Sequence, residues 1–437
     1  MIYESNWESL NSRPVPEWFE DAKFGIFIHW GLYSVPAFAP KGGYAEWYGY
    51  HCDEMRPDVD QKYYEYHRKT YGKNFKYSDF VSMFKAENFD AEQWVNLFQD
   101  AGAKYINLVS KHHDGFCMYP TGHAWNWNSM DVGPHRDFCR ELKDACDKTN
   151  VKFGVYHSVY EWFHPLYKKD PEEYALKHLI PMLKELVETY RPYTLFTDGE
   201  WSHPSSVWHS TEFLQWLYNE SSVKDYIVPN DRWGRETRGR LGGNLTTEYG
   251  ETGAVDGSTE IIDRVSEECR GIGASFGWNR YEMLEDYLSE AELINLLVDL
   301  VSRGSNLLLN VGPTDDGRIP VIMEERLRQL GRWLKVNGEG IYRSRRYCTE
   351  EEQRSDIRYT RSKDGSSIFA FLKKYPVGQM VFPEISYEEG MQVELLGCNR
   401  GFAAQNSNGS LVVDFGFISP DEMASSHVYT VKVTFAL

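Results

Sequence analysis

The sequence predicts an α/β fold, a (β/α)8-like barrel of the triosephosphate-isomerase (TIM) type followed by a C-terminal β-sandwich domain. Three observations predict it. Short β-rich segments alternate with helical segments or long loops through most of the chain, several of these segments are continuously apolar, and the last part contains short strands without a long helix. With 437 residues, the chain is long enough for a barrel and a second domain.

Eight segments are predicted as barrel strands. The run Leu307, Leu308 and Leu309 is typical of parallel strands that are buried on both faces. Between strands, apolar residues from Leu176 to Val187 follow helical spacing, and Pro181 should kink that helix. The predicted strands are 24–29, 105–110, 152–158, 193–198, 225–230, 243–249, 274–279 and 306–312.

The second domain is predicted to begin after a helix at about 324–335. Four segments with strand-like composition follow it, at 367–375, 391–396, 411–415 and 428–435. We expect residues 1–344 to form the catalytic barrel and residues 345–437 to form the β-sandwich.

Charge and composition exclude several classes of protein. The net charge of −18 argues against a nucleic-acid partner, because phosphate binding requires clustered Lys and Arg. No apolar stretch is long enough to span a membrane, and no signal peptide stands at the start, so we expect no membrane partner and a cytoplasmic protein, or a secreted one if a signal has been removed. Seven cysteines without CxxC pairs indicate reduced thiols rather than a zinc site. The oligomeric state is not predictable from the sequence.

Polar side chains gather where the predicted strands end, which is where TIM-type barrels carry their active sites. Two of them, Asp198 and Glu248, are carboxylates at the ends of the predicted fourth and sixth strands. One ionised and one protonated carboxyl group on either side of a glycosidic bond suit its hydrolysis. The other residues at these ends are His29, Trp30, His112, His113, Asp114, Tyr156, His157 and Arg232.

The chain resembles the α-L-fucosidases of glycoside hydrolase family 29, in their broad-specificity branch. The resemblance rests on motifs that occur in the family's order and span most of the barrel. It implies a barrel followed by a β-sandwich and an exo-acting, retaining hydrolysis of terminal α-L-fucose through a covalent fucosyl-enzyme. The motifs are 18–19, 23–31 (KFGIFIHWG), 46–48 (EWY), 111–116 (KHHDGF), 230–234 (NDRWG), 275–279 (SFGWN), and 306–313 (NLLLNVGP) with Asp316 and Gly317.

The resemblance also implies roles for particular residues. Asp198 would be the nucleophile and Glu248 the acid/base, although Glu251, Glu267 and Glu200 are close enough in sequence to compete with Glu248. No metal or cofactor is implied, and the expected partners are fucosylated oligosaccharides or glycoconjugates. The chain departs from the family where a Trp is common, at Phe196 and Ser266. The residues expected to bind fucose are His29, Glu46, Trp47, His112, His113, Tyr156 or His157, Phe196 and Arg232.

Two other functions compete with this interpretation. A metal-dependent amidohydrolase also uses a barrel, but it needs a His-x-His pair after the first strand, where this chain has only His29. His112 and His113 are adjacent, so in an extended strand they would point to opposite faces and could not share an ion. A non-catalytic fucose-binding protein is the second alternative, and the presence of both Asp198 and Glu248 argues against it.

Overall fold

Eight parallel strands form the first domain. The computed structural model describes residues 2–53, 58–250, 264–348 and 356–435. The strands are β1 (Phe24–Ile28), β2 (Tyr105–Lys111), β3 (Lys152–Ser158), β4 (Thr194–Asp198), β5 (Val228–Pro229), β6 (Leu245–Glu248), β7 (Ser266–Gly271) and β8 (Ser305–Val311).

These strands are arranged as in a TIM-type barrel. They pair in the order β5-β4-β3-β2-β1-β8-β7-β6, so strands that follow one another in the chain are neighbours in the sheet and β1 pairs with β8. The two end strands, β5 and β6, are not paired as strands. Two backbone hydrogen bonds join them, from the Gly243 amide to the Asn230 carbonyl (3.0 Å) and from the Asn244 amide to the Pro229 carbonyl (3.0 Å). The predicted barrel is therefore confirmed, with these two backbone hydrogen bonds in place of strand pairing between β5 and β6.

The prediction of the seventh strand was wrong. The strand is β7, whereas 274–279 follows it as an irregular loop. In that loop the amides of Ser275 and Gly277 bond to side chains, to Glu282 Oε1 (2.8 Å) and Glu46 Oε2 (2.8 Å), instead of to a neighbouring strand. The sequence of β7, Ser-Glu-Glu-Cys-Arg-Gly, lacks the apolar run that marked the other strands.

Side chains of the barrel strands alternate between two apolar layers, as the period of two requires. On β1, Ile26 and Ile28 belong to the layer beneath the outer helices, while Phe27 points into the barrel. Phe19 also belongs to the inner layer and closes the end of the barrel opposite the carboxyl ends of the strands. The carboxyl ends of the strands therefore form the open end of the barrel.

Helices cover the outer face of the sheet. Their starts have local causes: Asp90 accepts the Gln93 amide, and Ser289 forms a capping box with Glu292. The predicted helix is interrupted near Pro181, which lacks an amide hydrogen. A π-helical turn (Ala175–Leu179) lies just before this proline in the chain. The helices are α1 (Trp7–Asn11), α2 (Glu17–Ala22), α3 (Tyr48–Cys52), α4 (Gln61–Tyr71), α5 (Ala91–Asp100), α6 (Phe138–Asp147), α7 (Pro165–Lys169), α8 (Pro171–Tyr174), α9 (Ile180–Tyr190), α10 (Ser210–Asn219), α11 (Glu290–Ser302) and α12 (Val321–Asn337).

The C-terminal part is a β-sandwich with its own apolar core, as predicted. One sheet has the order β14-β13-β17-β11-β10-β9 and the other β12-β16-β15. The sandwich is tied to the barrel by Asp299 of α11, which pairs with Arg358 (2.8 Å) and Lys373 (2.7 Å). Its strands are β9 (Ser344–Arg346), β10 (Ile357–Ser362), β11 (Ser367–Leu372), β12 (Gln379–Ser386), β13 (Gln392–Leu395), β14 (Gly401–Phe402), β15 (Ala404–Ser407), β16 (Ser410–Asp414) and β17 (Tyr429–Thr434).

None of the helices in the described ranges has the length and apolar character that crossing a bilayer requires.

Candidate active site

A cavity of about 210 Å³ opens at the carboxyl ends of the barrel strands. Residues from or directly after β1, β2, β3, β4, β5 and β6 meet there, as expected for this architecture. We call it the barrel cavity. It is lined by Phe27, His29, Tyr44, Glu46, Trp47, His112, His113, Tyr156, Phe196, Asp198, Trp201, Arg232, Glu248, Cys269 and Phe276.

Asp198 is the last residue of β4, and its carboxylate is held from both sides. Oδ1 accepts from Arg232 Nη1 (2.6 Å) and Arg238 Nη2 (2.8 Å), and Oδ2 accepts from Tyr156 Oη (3.1 Å). Burial alone would raise the pKa of Asp198, but the two guanidinium groups outweigh it and hold the pKa well below its usual range. Asp198 is therefore ionised at any ordinary pH.

The turn after Asp198 requires a glycine. Gly199 has a φ of +80°, and a Cβ there would lie 2.4 Å from Tyr160 Cβ. The chain can therefore leave β4 sharply and keep the Asp198 carboxylate at the cavity.

Arg232 joins the two carboxylates that the sequence analysis paired. Its Nη1 donates to Asp198 Oδ1 (2.6 Å) and also to Glu248 Oε2 (3.3 Å), while its Nε donates to Thr246 Oγ1 (3.0 Å). The two carboxylate oxygens share one donor atom, so they lie within about 6 Å of each other, a separation that a retaining pair can have. The Glu248 side chain is 32% exposed and that of Asp198 only 13%.

Two of the glutamates that were alternatives to Glu248, Glu200 and Glu267, lie outside the barrel cavity. Glu200 is fully buried and forms an ion pair with Arg238. Glu267 lies on β7 below the cavity, where Tyr105 Oη donates to it, and burial raises its pKa to about 7. Neither lines the barrel cavity. Glu251 lies outside the described residues.

The histidines of the cavity are neutral. Burial lowers the pKa of His29 to about 3 and that of His113 to about 4, and it lowers the pKa of His112 well below its usual range. His29 Nδ1 lies 2.6 Å from Asn310 Oδ1, and the Asn310 amide group donates to the Phe276 carbonyl, so Nδ1 of His29 carries the proton. Its Nε2 is therefore an acceptor.

The inference that His112 and His113 face opposite ways was wrong. Both line the barrel cavity, with ring centroids 4.2 Å apart. The reason is that β2 ends at Lys111, so neither histidine is in an extended strand.

Glu46 lies on the side of the cavity that faces the loop after β7, and the adjacent Trp47 packs near His113 and Trp201. Glu46 is buried and accepts from the Gly277 amide (2.8 Å) and Ser275 Oγ (3.3 Å). Burial raises the pKa of Glu46 to about 8, so this carboxyl group is protonated at neutral pH. The half-buried Trp47 ring lies parallel to Trp201, 6.2 Å away, at the mouth of the cavity.

Of the predicted binding residues, His157 does not line the cavity. On β3, Tyr156 points inward and the adjacent His157 points outward, toward Ser110. Other residues that line the cavity were not predicted as site residues, among them Trp201, Tyr44 and Phe276. Trp201 lies three residues after Asp198 and Phe276 lies inside a motif, so position could have suggested both. Nothing in the sequence marked Arg238.

Two groups of side chains in the described residues are close enough to hold a metal ion. They are Cys52, Asp53 and His67, and Glu161, His164 and His178. Neither group lines the barrel cavity. In the first group both nitrogens of His67 are already hydrogen bonded, to Tyr48 Oη (2.9 Å) and the Phe75 carbonyl (2.9 Å).

The chain matches known families over almost its full length. A family model described as alpha-L-fucosidase matches residues 1–339, and one described as alpha-L-fucosidase C-terminal domain matches residues 350–434. The chain belongs to the α-L-fucosidase family.

Individual members of this family agree with that assignment. A plasma alpha-L-fucosidase of Rattus norvegicus is 41% identical over 99% of this chain and 94% of the rat protein. A tissue alpha-L-fucosidase of Homo sapiens is 39% identical over 99% of this chain and 92% of the human protein. The crystal structure of Thermotoga maritima alpha-fucosidase in complex with a mechanism-based inhibitor superposes with a TM-score of 0.82 at 34% identity, covering 99% of this chain and 100% of that one.

These findings confirm the predicted family, glycoside hydrolase family 29, and with it the class of enzyme, an exo-acting α-L-fucosidase. Retention of anomeric configuration is characteristic of this family.

Proposed function

We propose that this chain removes terminal α-L-fucose from fucosylated oligosaccharides or glycoconjugates, with Asp198 as the nucleophile and Glu248 as the acid/base. The observation that carries the proposal is Arg232, which holds both carboxylates on one guanidinium group. The resulting separation of about 6 Å or less between Asp198 Oδ1 and Glu248 Oε2 supports a retaining pair.

In the first step, Asp198 attacks the anomeric carbon. Its Oδ1 is occupied by two arginines, so we assign the attack to Oδ2, which has Tyr156 as its donor. A carbon–oxygen ester bond forms while the glycosidic bond breaks, and Glu248 gives its proton to the departing oxygen. The arginines lower the basicity of Asp198, which also makes it a better leaving group later.

In the second step, water releases the sugar from Asp198. Glu248, now ionised, takes a proton from that water, whose oxygen bonds to the anomeric carbon from the side the glycan has left. Two inversions give overall retention. The 32% exposed Glu248 side chain can exchange its proton with solvent between cycles, which the nearly buried Asp198 does not need to do.

The remaining lining residues supply a pocket for one sugar. Neutral His29 offers an acceptor through Nε2, and protonated Glu46 offers a donor, so hydroxyl groups of fucose find both partners. His112 and His113 add further imidazole nitrogens, and Trp47 and Phe196 offer apolar faces. A cavity of about 210 Å³ that is closed below by the barrel core favours a terminal sugar.

We also propose a domain boundary at 344/345. The first sandwich strand, β9, pairs with β10 from Ser344 onward, which supports a boundary close to this position. That the protein needs no metal or cofactor and has no nucleic-acid or membrane partner stays a prediction from the sequence. The same holds for its cytoplasmic or secreted compartment.

The proposed nucleophile can be tested by chemical trapping. A 2-deoxy-2-fluoro-L-fucosyl fluoride should inactivate the enzyme by forming a stable ester, and peptide mapping by mass spectrometry should locate the label on Asp198. A label on Glu248 or Glu200 would contradict the assignment. Complete resistance together with saturable fucose binding and no turnover of an aryl α-L-fucoside would favour a non-catalytic fucose-binding protein.

A further inference from the structure

Strand β6 is only four residues long, yet it carries the proposed acid/base, Glu248, at its last position. It is an end strand of the eight-stranded sheet and pairs with β7, where Glu248 lies beside Cys269. The preceding pair is Thr247 and Glu268. Because neighbours in a strand point to opposite faces, Glu248 and Cys269 face the barrel cavity, whereas Thr247 and Glu268 face away from it. A strand this short depends on further contacts to keep Glu248 in place.

The carboxylate of Glu268 binds the chain on both sides of Glu248. Its Oε2 accepts from Thr247 Oγ1, and its Oε1 accepts from the Gly250 amide (2.9 Å). Glu268 is buried, so the loss of either hydrogen bond would leave a buried carboxylate oxygen without that donor. The backbone that carries Glu248 is therefore tied to β7 at the residue before it and at the second residue after it.

Tyr249, directly after Glu248, makes a second connection. Strand β6 ends at Glu248 while β7 continues to Gly271, and the Gly271 amide finds its acceptor in a side chain, Tyr249 Oη (3.1 Å). The same hydroxyl donates to the Ala274 carbonyl (3.2 Å) in the loop after β7. A tyrosine hydroxyl can donate one hydrogen bond and accept others, so both bonds form at once.

The backbone of Tyr249 has a conformation that tyrosine rarely adopts. Its φ is +50°, in the left-handed region, which is an outlier for a bulky side chain. Such a conformation persists only where the surrounding contacts hold it, and residues of this kind cluster at active sites. Besides the two hydroxyl bonds, the Tyr249 ring packs edge-on against Phe276 of the barrel cavity (5.6 Å) and lies beneath the Arg270 guanidinium (5.1 Å).

The side chain of Glu248 has weaker support of its own. It is 32% exposed, and its Oε2 accepts from Arg232 Nη1 and Nη2 at 3.3 Å each. The same Nη1 is only 2.6 Å from Asp198 Oδ1, so Arg232 is directed mainly at Asp198. Hydrogen bonds at 3.3 Å are longer than the usual range and fix a direction loosely. The position of the Glu248 carboxyl group is therefore set largely by its backbone.

We propose that Tyr249 and Glu268 are positioning residues for the acid/base, which hold the end of β6 so that the Glu248 carboxyl group lies within reach of the glycosidic oxygen. We call the four hydrogen bonds of these two side chains the β6 clamp. Neither Tyr249 nor Glu268 lines the barrel cavity, so both act through Glu248 and not on the sugar. The inference rests on the proposed function, because it requires Glu248 to transfer the proton.

The test combines leaving-group dependence with a double-mutant cycle. The value of kcat/KM is measured for a natural glycan and for an aryl α-L-fucoside with a good leaving group. The variants are Tyr249→Phe, which removes only the hydroxyl, and Glu268→Gln, which replaces one carboxylate oxygen by an amide nitrogen. Each is measured alone and combined with Glu248→Ala. Thr247→Val breaks the bond to Glu268 from its other end and replaces Glu268→Gln if that variant does not fold.

Two further substitutions serve as matched controls. Tyr342→Phe removes a partly buried hydroxyl that donates to the Gly102 carbonyl (2.7 Å). Glu292→Gln changes a carboxylate that accepts from the amide (2.8 Å) and the hydroxyl (2.7 Å) of Ser289. Neither Tyr342 nor Glu292 lines the barrel cavity, so both controls should keep wild-type kcat/KM on both substrates. Circular dichroism checks that every variant is folded.

We expect each clamp variant to lower kcat/KM for the natural glycan by roughly tenfold, because a displaced acid no longer reaches the departing oxygen. For the aryl fucoside the loss should be less than about twofold, since this leaving group departs without being protonated. In the Glu248→Ala background the same changes should have no further effect, because no acid remains to be positioned. An equal loss on both substrates, or a loss that persists in the Glu248→Ala background, would overturn the inference.

The two proposals can fail separately. If Glu248→Ala shows the dependence on the leaving group while the clamp variants follow the wild type on both substrates, the β6 clamp is wrong and the proposed function stands. If Glu248→Ala itself shows no such dependence, Glu248 is not the acid/base, and the proposed function is wrong at this residue together with the inference that rests on it.

Discussion

The two sides of the barrel cavity are built differently. One side comes from β1 to β4, strands of five to seven residues whose ends hold His29, Tyr156 and Asp198. The other side comes from β5 and β6, strands of two and four residues, which precede Arg232 and carry Glu248.

This difference matches two different tasks. A nucleophile must stay ionised and fixed, and Asp198, which we propose for this role, is nearly buried between Arg232, Arg238 and Tyr156. An acid/base must exchange protons and face variable leaving groups, and Glu248, which we propose for this role, is more exposed and contacts only one arginine in the described residues. We call the side of β1 to β4, which carries the nearly buried Asp198, the rigid side, and the side of β5 and β6, which carries the more exposed Glu248, the open side.

Removing the carboxylate on the rigid side should have the largest effect. Asp198→Gly should lower kcat by roughly 10⁴-fold, because no ester intermediate can form. Added azide should restore part of the turnover by taking the place of the carboxylate, and the product should be β-fucosyl azide, the inverted anomer. NMR of the product checks this.

The control for that variant is Asp364→Ala, which replaces an aspartate of a sandwich turn, hydrogen bonded to Ser366, and should keep wild-type turnover. Circular dichroism would confirm that both variants are folded. Turnover of Asp198→Gly within tenfold of wild type without azide would exclude Asp198 as the nucleophile.

The effect of removing the carboxylate on the open side should depend on the leaving group of the substrate. Glu248→Ala should lower kcat/KM for a natural glycan by roughly 10²- to 10⁴-fold, because the departing oxygen is no longer protonated. The value of kcat/KM for an aryl fucoside with a good leaving group should decrease much less, because this leaving group departs without being protonated. Here azide attacks the ester on Asp198 from the opposite face, so the product should be α-fucosyl azide.

One reagent thus distinguishes the two sides of the cavity by the anomer it gives. Glu267→Gln is the matched control, since Glu267 is a buried carboxyl group below the cavity, and it should not show the leaving-group pattern. If a variant of Glu267, Glu200 or Glu251 shows that pattern and Glu248→Ala does not, the role of acid/base moves to that residue.

Glu46 should set the basic limb of the pH profile. Burial raises its pKa to about 8, so it can donate to a sugar hydroxyl below pH 8 and loses its proton above that value. Wild-type kcat/KM should therefore fall above about pH 8. Glu46→Gln, which keeps an amide donor, should lose roughly threefold to tenfold at pH 6 and no longer show this limb.

Glu267→Gln serves as the control here too, because burial raises the pKa of Glu267 to about 7 although the residue lies outside the cavity. Its profile should keep the wild-type limb at pH 8. A basic limb that survives in Glu46→Gln would mean that another group titrates there.

The same division between the two sides explains how far the fold could be predicted. Strands β1 to β4 and β8 are apolar on both faces and were recognised from that pattern. Strand β7 contains two glutamates, whose burial is made possible by hydrogen bonds from Tyr105 on the distant strand β2 and from Thr247 on the adjacent strand β6. Partners so far apart in sequence leave no local signal, so the apolar segment 274–279 was chosen instead.

The candidate site shows the same limit. Arg232 and the histidines lie in motifs at strand ends, and Asp198 ends a predicted strand, so the sequence located them. Arg238 lies 40 residues from Asp198 in a loop without strand character, yet it contributes a hydrogen bond to the Asp198 carboxylate. Whether the side chains of His112 and His113 point to the same side depends on where β2 ends. Strand boundaries are the least predictable part of a secondary-structure element.

The smallest effect is expected at His157, the predicted binding residue that lies on the outer face of β3. Its Nδ1 is 3.4 Å from Ser110 Oγ, and its Nε2 has no partner among the described residues. Replacing a buried, poorly satisfied polar group by an apolar one of similar size is nearly neutral, so His157→Leu should change kcat/KM by less than about twofold. His113→Leu, on a residue whose ring does line the cavity near Asp198, should cost at least roughly tenfold in the same assay. A tenfold loss in His157→Leu with unchanged thermal stability would mean that the outer face of β3 also acts on the sugar, and that the cavity is not closed at Tyr156.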